Sequence, residues 1–89
     1  MVTLPSVLTH NVSAQFSLGL QQLVAGQTGA VEVDAAPLQS FDSSALAVLL
    51  ECRRLALTAG KAFAVKGLPA DLQKLATLYG IAPLLAPAA

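Results

Sequence analysis

Short apolar segments typical of strands alternate three times with longer segments that have helical spacing. The strand-like segments are residues 2–8, 30–34 and 61–66, and the helix-like segments are residues 9–26, 43–59 and 69–79. This alternation predicts a parallel sheet, because parallel neighbours need a crossover, usually helical, between them. We therefore expect a small α/β domain with a mostly parallel sheet and helices packed on one side. A sheet covered on one side only would leave apolar surface on the other.

Proline and glycine mark the breaks between these segments. Pro5 interrupts the first strand, which predicts an edge or bent strand because proline has no N–H for a ladder. Gly60 follows the second helix at the position where a left-handed residue often ends a helix. Pro69 is expected as the first residue of the third helix, where an N–H is not needed. The first helix is expected to turn a stripe toward the core, made of Val12, Phe16, Leu20 and Leu23.

The corner Asp42-Ser43-Ser44 stands between an irregular segment and the second helix. Side-chain oxygens of Asp and Ser accept hydrogen bonds from the unpaired N–H groups of a helix start, so the corner predicts an N-cap. The same geometry presents a hydroxyl at the positive end of the helix dipole, where a phosphate is favoured. Two interpretations stay open: a cap alone, or a cap that is also a recognition or switch site.

One stripe of the second helix carries little charge for a surface that faces water. Helical spacing aligns it from Ser43 at the corner, through Ala47 and Leu50, to Arg54. A flat patch with an apolar centre suits docking against another protein. The alternative, that Ala47 and Leu50 are ordinary residues of the core or the surface, stays open on this pattern alone.

The composition is more apolar than a small domain can bury, since 55% of the 89 residues are hydrophobic and 11% are charged. This excess predicts a contact surface for a partner protein or a second copy. The formal net charge is zero, so the chain lacks the basic surface that nucleic-acid binding requires. Polar residues break every apolar run before about 20 residues, and residues 1–5 do not resemble a signal peptide. We therefore expect a cytoplasmic protein without a membrane span.

Few groups are candidates for catalysis. Ser43 would need a base to act as a nucleophile, and the only histidine, His10, is expected at a solvated helix start. Asp34 and Asp42 are interpreted as a strand-end residue and a cap, in preference to a catalytic pair. The single cysteine, Cys52, is expected to be a buried, unreactive thiol. No glycine-rich phosphate loop or cysteine-based zinc site is visible, so we expect no enzymatic activity, cofactor or metal.

The ordered elements around the corner resemble a STAS domain, the fold of anti-anti-sigma factors and of the cytoplasmic domains of sulfate transporters. The resemblance is carried by Val-Glu-Val-Asp at 31–34, the corner at 42–44, the following helix, and the turn at 60–61 into the strand at 63–65. The ending, with Leu-Pro-Ala-Asp-Leu at 68–72, Leu-Tyr-Gly-Ile at 78–81 and Leu-Leu at 84–85, is similar to one branch. That branch is the small STAS subunit (MlaB-like) of Mla-type phospholipid ABC transporters. The resemblance covers residues 8–85.

The resemblance implies a single STAS-like domain over residues 1–89 that acts without catalysis. In this bacterial branch, linked to outer-membrane lipid asymmetry and toluene tolerance, the hydroxyl residue that matches Ser43 lies at the interface with the ATPase subunit. The implied partner is that ATPase, which would bring the chain to the inner membrane. The implied partner-binding residues are Asp42, Ser43, Ser44, Ala47, Leu50 and Arg54.

The same family also implies an alternative, an anti-anti-sigma factor in which a partner kinase phosphorylates the serine at the position of Ser43. The family usually has Gly where this chain has Ala45, and this departure favours the transporter subunit. Many STAS domains begin with a hairpin of two strands, of which only one is readable here. The sheet is therefore expected to be one strand smaller, or completed by a partner. A homodimer through a sheet edge or the apolar tail is a third alternative.

Overall fold

The chain forms two small parallel sheets, as described for residues 1–85 by a computed structural model. Its elements are β1 (Val2–Thr3), β2 (Val7–Leu8), α1 (His10–Leu18), α2 (Leu20–Ala25), β3 (Val31–Asp34), β4 (Ser40–Phe41), α3 (Ser44–Thr58), β5 (Phe63–Lys66), α4 (Ala70–Leu78) and a 3₁₀ turn at Ala82–Leu85. One sheet has the order β1-β3-β5, and β2 pairs with β4 in the other. Every pairing is parallel, which confirms the predicted α/β class.

The three-stranded sheet has one buried and one open side. A row in register, made of Val2, Val33 and Val65, is buried against the helices. Because side chains alternate across a strand, the next row faces the other way. That row is polar and consists of Thr3, Asp34 and Lys66. The expectation of apolar surface on the uncovered side is therefore wrong for this row, and the large exposed apolar side chains lie mainly on the helices.

Pro5 divides the N-terminal strand into β1 and β2, which pair separately with β3 and β4. Strand β1 lies at an edge of its sheet, so the predicted edge or bent strand is confirmed. Strands β1 and β2 both pair in parallel, and residues 1–85 contain no N-terminal hairpin. The described part of the sheet thus lacks the hairpin with which many STAS domains begin.

The first helical segment is broken at Gly19 into α1 and α2, where one continuous helix was expected. After the break, Leu20 and Val24 are buried whereas Leu23 is exposed. The predicted core stripe is therefore wrong at Leu23. Glycine weakens a helix interior because it loses more backbone freedom than other residues on folding, by roughly 1 kcal/mol relative to alanine.

Helix α3 ends in a Schellman motif. The N–H of Gly60 donates to the carbonyl of Leu57 at 3.0 Å, and the N–H of Lys61 donates to the carbonyl of Ala56 at 2.9 Å. Gly60 has φ of 72°, a left-handed conformation that suits glycine, and this confirms its predicted role. The prediction for Pro69 is wrong by one residue, because its ψ of 145° is extended and α4 begins after it.

The side chain of Lys61 caps the C-terminal end of α2. Its Nζ donates to the carbonyl of Val24 at 2.9 Å and to the carbonyl of Gln27 at 2.6 Å. The last carbonyls of a helix have no partner within it, and a positive charge there is favoured by the helix dipole. Lys61 therefore joins the end of α2 to the end of α3.

The 3₁₀ turn at Ala82–Leu85 packs against α3 and α4, and Leu85 is buried. The remainder of the predicted apolar tail, residues 86–89, lies outside the described residues. No helix within residues 1–85 combines the length and the apolarity needed to cross a bilayer.

Candidate functional site

One carboxylate caps the starts of two helices at the corner before α3. Oδ1 of Asp42 accepts a hydrogen bond from the N–H of Ser44 at 2.8 Å, and Oδ2 accepts one from the N–H of His10 at 3.0 Å. These N–H groups belong to the first residues of α3 and α1, which lack partners within their own helices. Asp42 therefore places the N-terminal ends of α1 and α3 side by side.

These hydrogen bonds favour the ionised form of Asp42. The N–H of His10 is the largest cause of its lowered pKa, followed by the N–H of Ser44, while partial desolvation opposes the shift. The carboxylate therefore stays charged at neutral pH, where it complements the positive ends of both helix dipoles.

The cap at this corner comes from Asp42, and the side chain of Ser43 takes no part in it. Ser43 already has helical backbone angles (φ −61°, ψ −17°), and its hydroxyl makes no capping hydrogen bond. The residue is exposed. The expectation that a cap hydroxyl begins the patch is corrected: Asp42 fixes the corner, and Ser43 presents a hydroxyl to its surroundings.

The predicted stripe lies on the side of α3 that faces away from the core. Ser43, Ala47 and Arg54 are exposed, and Leu50 is half-buried at the margin of the core. Arg54 donates from Nε to Glu51 at 3.0 Å, an exposed pair that neutralises both charges. The structure thus brings these residues onto one outward surface, and partner binding by them stays a prediction.

The two residues that follow Ser43 are less exposed than Ser43 itself. Ser44 is half-buried, and Ala45 is fully buried in the first turn of α3. Since the methyl group of Ala45 lies in the core, it makes no direct contact with a docking partner. Ala45 therefore does not favour the transporter subunit over the kinase switch through any contact at the surface.

Sequence reasoning missed two residues of this region. Leu57 was not among the predicted partner-binding residues, yet its side chain is 49% exposed one turn beyond Arg54. His10 was expected only as a solvated helix-start residue, yet its backbone N–H donates to the Asp42 carboxylate at the corner. A signal for His10 exists, because α1 begins without a side-chain cap from Thr9 and its first N–H groups need an acceptor.

The two aspartates considered as a catalytic pair, Asp34 and Asp42, each have separate hydrogen-bond partners. Asp34 accepts from the N–H of Ala36 at 3.0 Å, so it is a strand-end residue as expected, and Asp42 has its own separate partners. The thiol of Cys52 is buried, and burial, with a smaller contribution from Glu51, raises its pKa to about 11. Within residues 1–85, no cluster of His, Cys, Asp and Glu has the arrangement of a metal site.

A pocket of about 380 Å³ lies between the end of β5, α4 and the 3₁₀ turn. Apolar residues such as Val65, Leu68 and Leu85 contribute to its lining, together with the polar Gln73 and Thr77. The side chain of Gln73 donates to the carbonyl of Leu68 at 2.9 Å, and the hydroxyl of Thr77 donates to the carbonyl of Gln73 at 3.0 Å. Gln73 and Thr77 thus already donate within the chain, and Lys66 is the charged residue of the lining.

The comparisons with known proteins agree with this architecture. A protein-family model described as "Mlab, STAS domain" matches residues 1–86 of the chain. No curated protein matches the chain significantly. The family match spans both sheets, the corner and every helix described above.

Proposed function

Since the chain belongs to the STAS domain family, we propose that it is a non-catalytic subunit that docks on the ATPase of a phospholipid ABC transporter. STAS domains generally act as regulatory or accessory modules through contacts with other proteins. In this proposal the chain, a single domain over residues 1–89, supports the assembly or activity of the transporter. It is cytoplasmic and reaches the inner membrane through its partner.

The outward surface of α3 is the observation that carries this proposal. Ser43 and Ala47 are exposed small side chains, and Leu50 forms an apolar margin beside them. Arg54 and Glu51 neutralise each other, so the surface offers little net charge. Small, apolar and neutral residues on an ordered helix permit close approach of another protein without desolvating unpaired charges.

The experiment replaces exposed residues of this surface with arginine. We expect Ser43→Arg and Ala47→Arg to abolish co-purification with the cognate transporter ATPase, because a long charged side chain prevents close contact. Leu50 is less suitable than the sequence indicated, since it packs against the core and a charge there would disturb folding. Ala70→Arg is the matched control, because Ala70 is an exposed alanine on α4.

Both α3 variants should unfold at the temperature of the wild type, which separates loss of docking from loss of structure. Undiminished ATPase binding by both variants would exclude this surface as the docking site. Equal loss with Ala70→Arg would indicate a general effect of added charge.

The exposed hydroxyl of Ser43 supports a second candidate function, the phosphorylation switch of an anti-anti-sigma factor. A phosphate there adds about −2 charge beside the Asp42 carboxylate and would weaken a docked interface by repulsion and desolvation. Mass spectrometry after incubation with the cognate anti-sigma kinase and ATP tests it. A phosphate on Ser43 that disappears in Ser43→Ala is expected for the switch, and an unmodified Ser43 argues against it.

A further inference from the structure

The exposed surface of α1 and α2 carries no formal charge. All five basic and all five acidic residues of the chain follow position 31, so residues 10–25 contain none of them. Helices at a protein surface ordinarily carry charged residues on the side that faces water. Depletion of charge among exposed residues is a property of the central part of protein interfaces.

The outward side of α1 also presents a large apolar side chain. Asn11, Ala14, Gln15 and Leu18 are exposed and lie on one face of the helix. The side chain of Leu18 is 80% exposed, more than any other large apolar residue among those described. In the isolated chain this side chain faces water, and its burial against a partner would be favourable.

The segment α1–α2 is a direct neighbour of α3. At one end Asp42 binds the N–H of His10, and at the other end Lys61 binds the carbonyl of Val24. The segment α1–α2 and helix α3 therefore lie side by side and run in the same direction. Both α1 and α2 pack against α3, so the exposed residues of α1 and α3 belong to neighbouring helices, which are here called the two-helix face.

The size of an interface argues that docking uses both helices. Helix α3 has 15 residues, so its outward side measures about 22 Å by 10 Å, or roughly 220 Å². A stable interface buries about 800 Å² on each partner. The outward side of α1–α2 adds a similar area, so the two helices together offer roughly 440 Å², about half of that value, whereas α3 alone offers about a quarter.

We propose that the docking surface extends from α3 onto α1 and that Leu18 is its main apolar contact. This inference rests on the proposed function and assigns the same occupant, the transporter ATPase. The partner surface opposite α1 is apolar and uncharged, because a charge there would be desolvated without a counterion.

Leu18 and Leu78 form a matched pair for the test. Both are leucines on helices, and their side chains are 80% and 76% exposed, but Leu78 lies on α4. We expect Leu18→Glu to raise the Kd for the purified ATPase subunit about tenfold or more, and Leu78→Glu to leave it unchanged. Leu18→Ala should shift the Kd in the same direction by a smaller factor. Equal thermal midpoints for all three variants show that folding is unaffected.

Each other outcome overturns the inference. If Leu18→Glu binds as the wild type while Ser43→Arg does not, docking uses α3 alone and the proposed function stands. If neither variant weakens binding, the ATPase docks on neither helix, and if the wild-type chain itself does not bind the ATPase, the proposed function fails as well. If Leu18→Glu instead dissociates a homodimer, seen by light scattering, without changing ATPase binding, a second copy of the chain occupies α1. Equal weakening by Leu18→Glu and Leu78→Glu indicates a charge effect without a specific site.

Discussion

Replacing Lys61 with methionine should destabilise the protein by removing the cap of α2. The Lys61 ammonium donates at 2.9 Å to the carbonyl of Val24 and at 2.6 Å to that of Gln27. Hydrogen bonds to a charged group contribute about 1.5–3 kcal/mol each when buried. Lys61 is half-buried, so water can hydrogen-bond to the two carbonyls in the variant. We therefore expect the free energy of unfolding to fall by a net amount of about 1–2 kcal/mol. Methionine keeps most of the aliphatic stem, so little packing is lost.

Urea unfolding followed by circular dichroism measures this loss. For a domain of this size, the expected decrease corresponds to a melting temperature lower by about 4–16 °C, with an unchanged denaturant slope. Lys74→Met is the control, because Lys74 is exposed on α4 and has no hydrogen bond or ion pair among the described contacts. A Lys61→Met free energy of unfolding within about 0.3 kcal/mol of the control would refute the capping role.

Three further predictions concern Asp42, Cys52 and Gly67. The folded-state pKa of Asp42 is lowered below 3.8, so its stabilising effect is present above that pH and lost as pH falls through the folded pKa. Urea midpoints of wild type and Asp42→Asn should therefore differ at pH 7 and converge toward pH 2; a constant difference would contradict this. Cys52, buried with a pKa of about 11, should resist Ellman's reagent at pH 8 until the protein is unfolded, and rapid labelling of the native protein would disprove its burial. Gly67→Ala should lower the free energy of unfolding more than Gly29→Ala, by about 1–3 kcal/mol in thermal unfolding. Both glycines have positive φ, but only a Cβ added at 67 meets Ala36, at 2.9 Å. Equal effects of the two substitutions would exclude that clash.

The local features of the fold follow from the sequence. Apolar alternation and helical spacing predict the succession of strands and helices, and Gly60 marks the end of α3 as predicted. These features depend on neighbours within a few residues. The break at Gly19 has a local signal too, but a continuous apolar spacing across it favoured one helix.

The arrangement of the candidate site depends on contacts between distant residues. The residue pattern predicts a cap at the corner. It does not show that the Asp42 carboxylate accepts from the N–H of His10, or that the Ser43 hydroxyl makes no capping hydrogen bond. The exposure of Leu57 depends on which elements pack around the end of α3, and helical spacing alone does not give it. The sequence has no Asp, Glu, Lys or Arg before position 32. This absence indicates a larger docking surface only because the structure places α1 beside α3.

The parallel pairing of every strand has a consequence for how the chain folds. Val2 pairs with Val33, Val7 with Ser40, and Val31 with Phe63, so each pairing joins residues about thirty positions apart. No hairpin within residues 1–85 offers a short loop from which the sheet can grow. The entropy of closing these loops is lost before the pairs form, and folding should be slower than in a helical bundle of equal length. During synthesis β3 has only β1 as a neighbour until residue 66 has left the ribosome, so the three-stranded sheet is completed late.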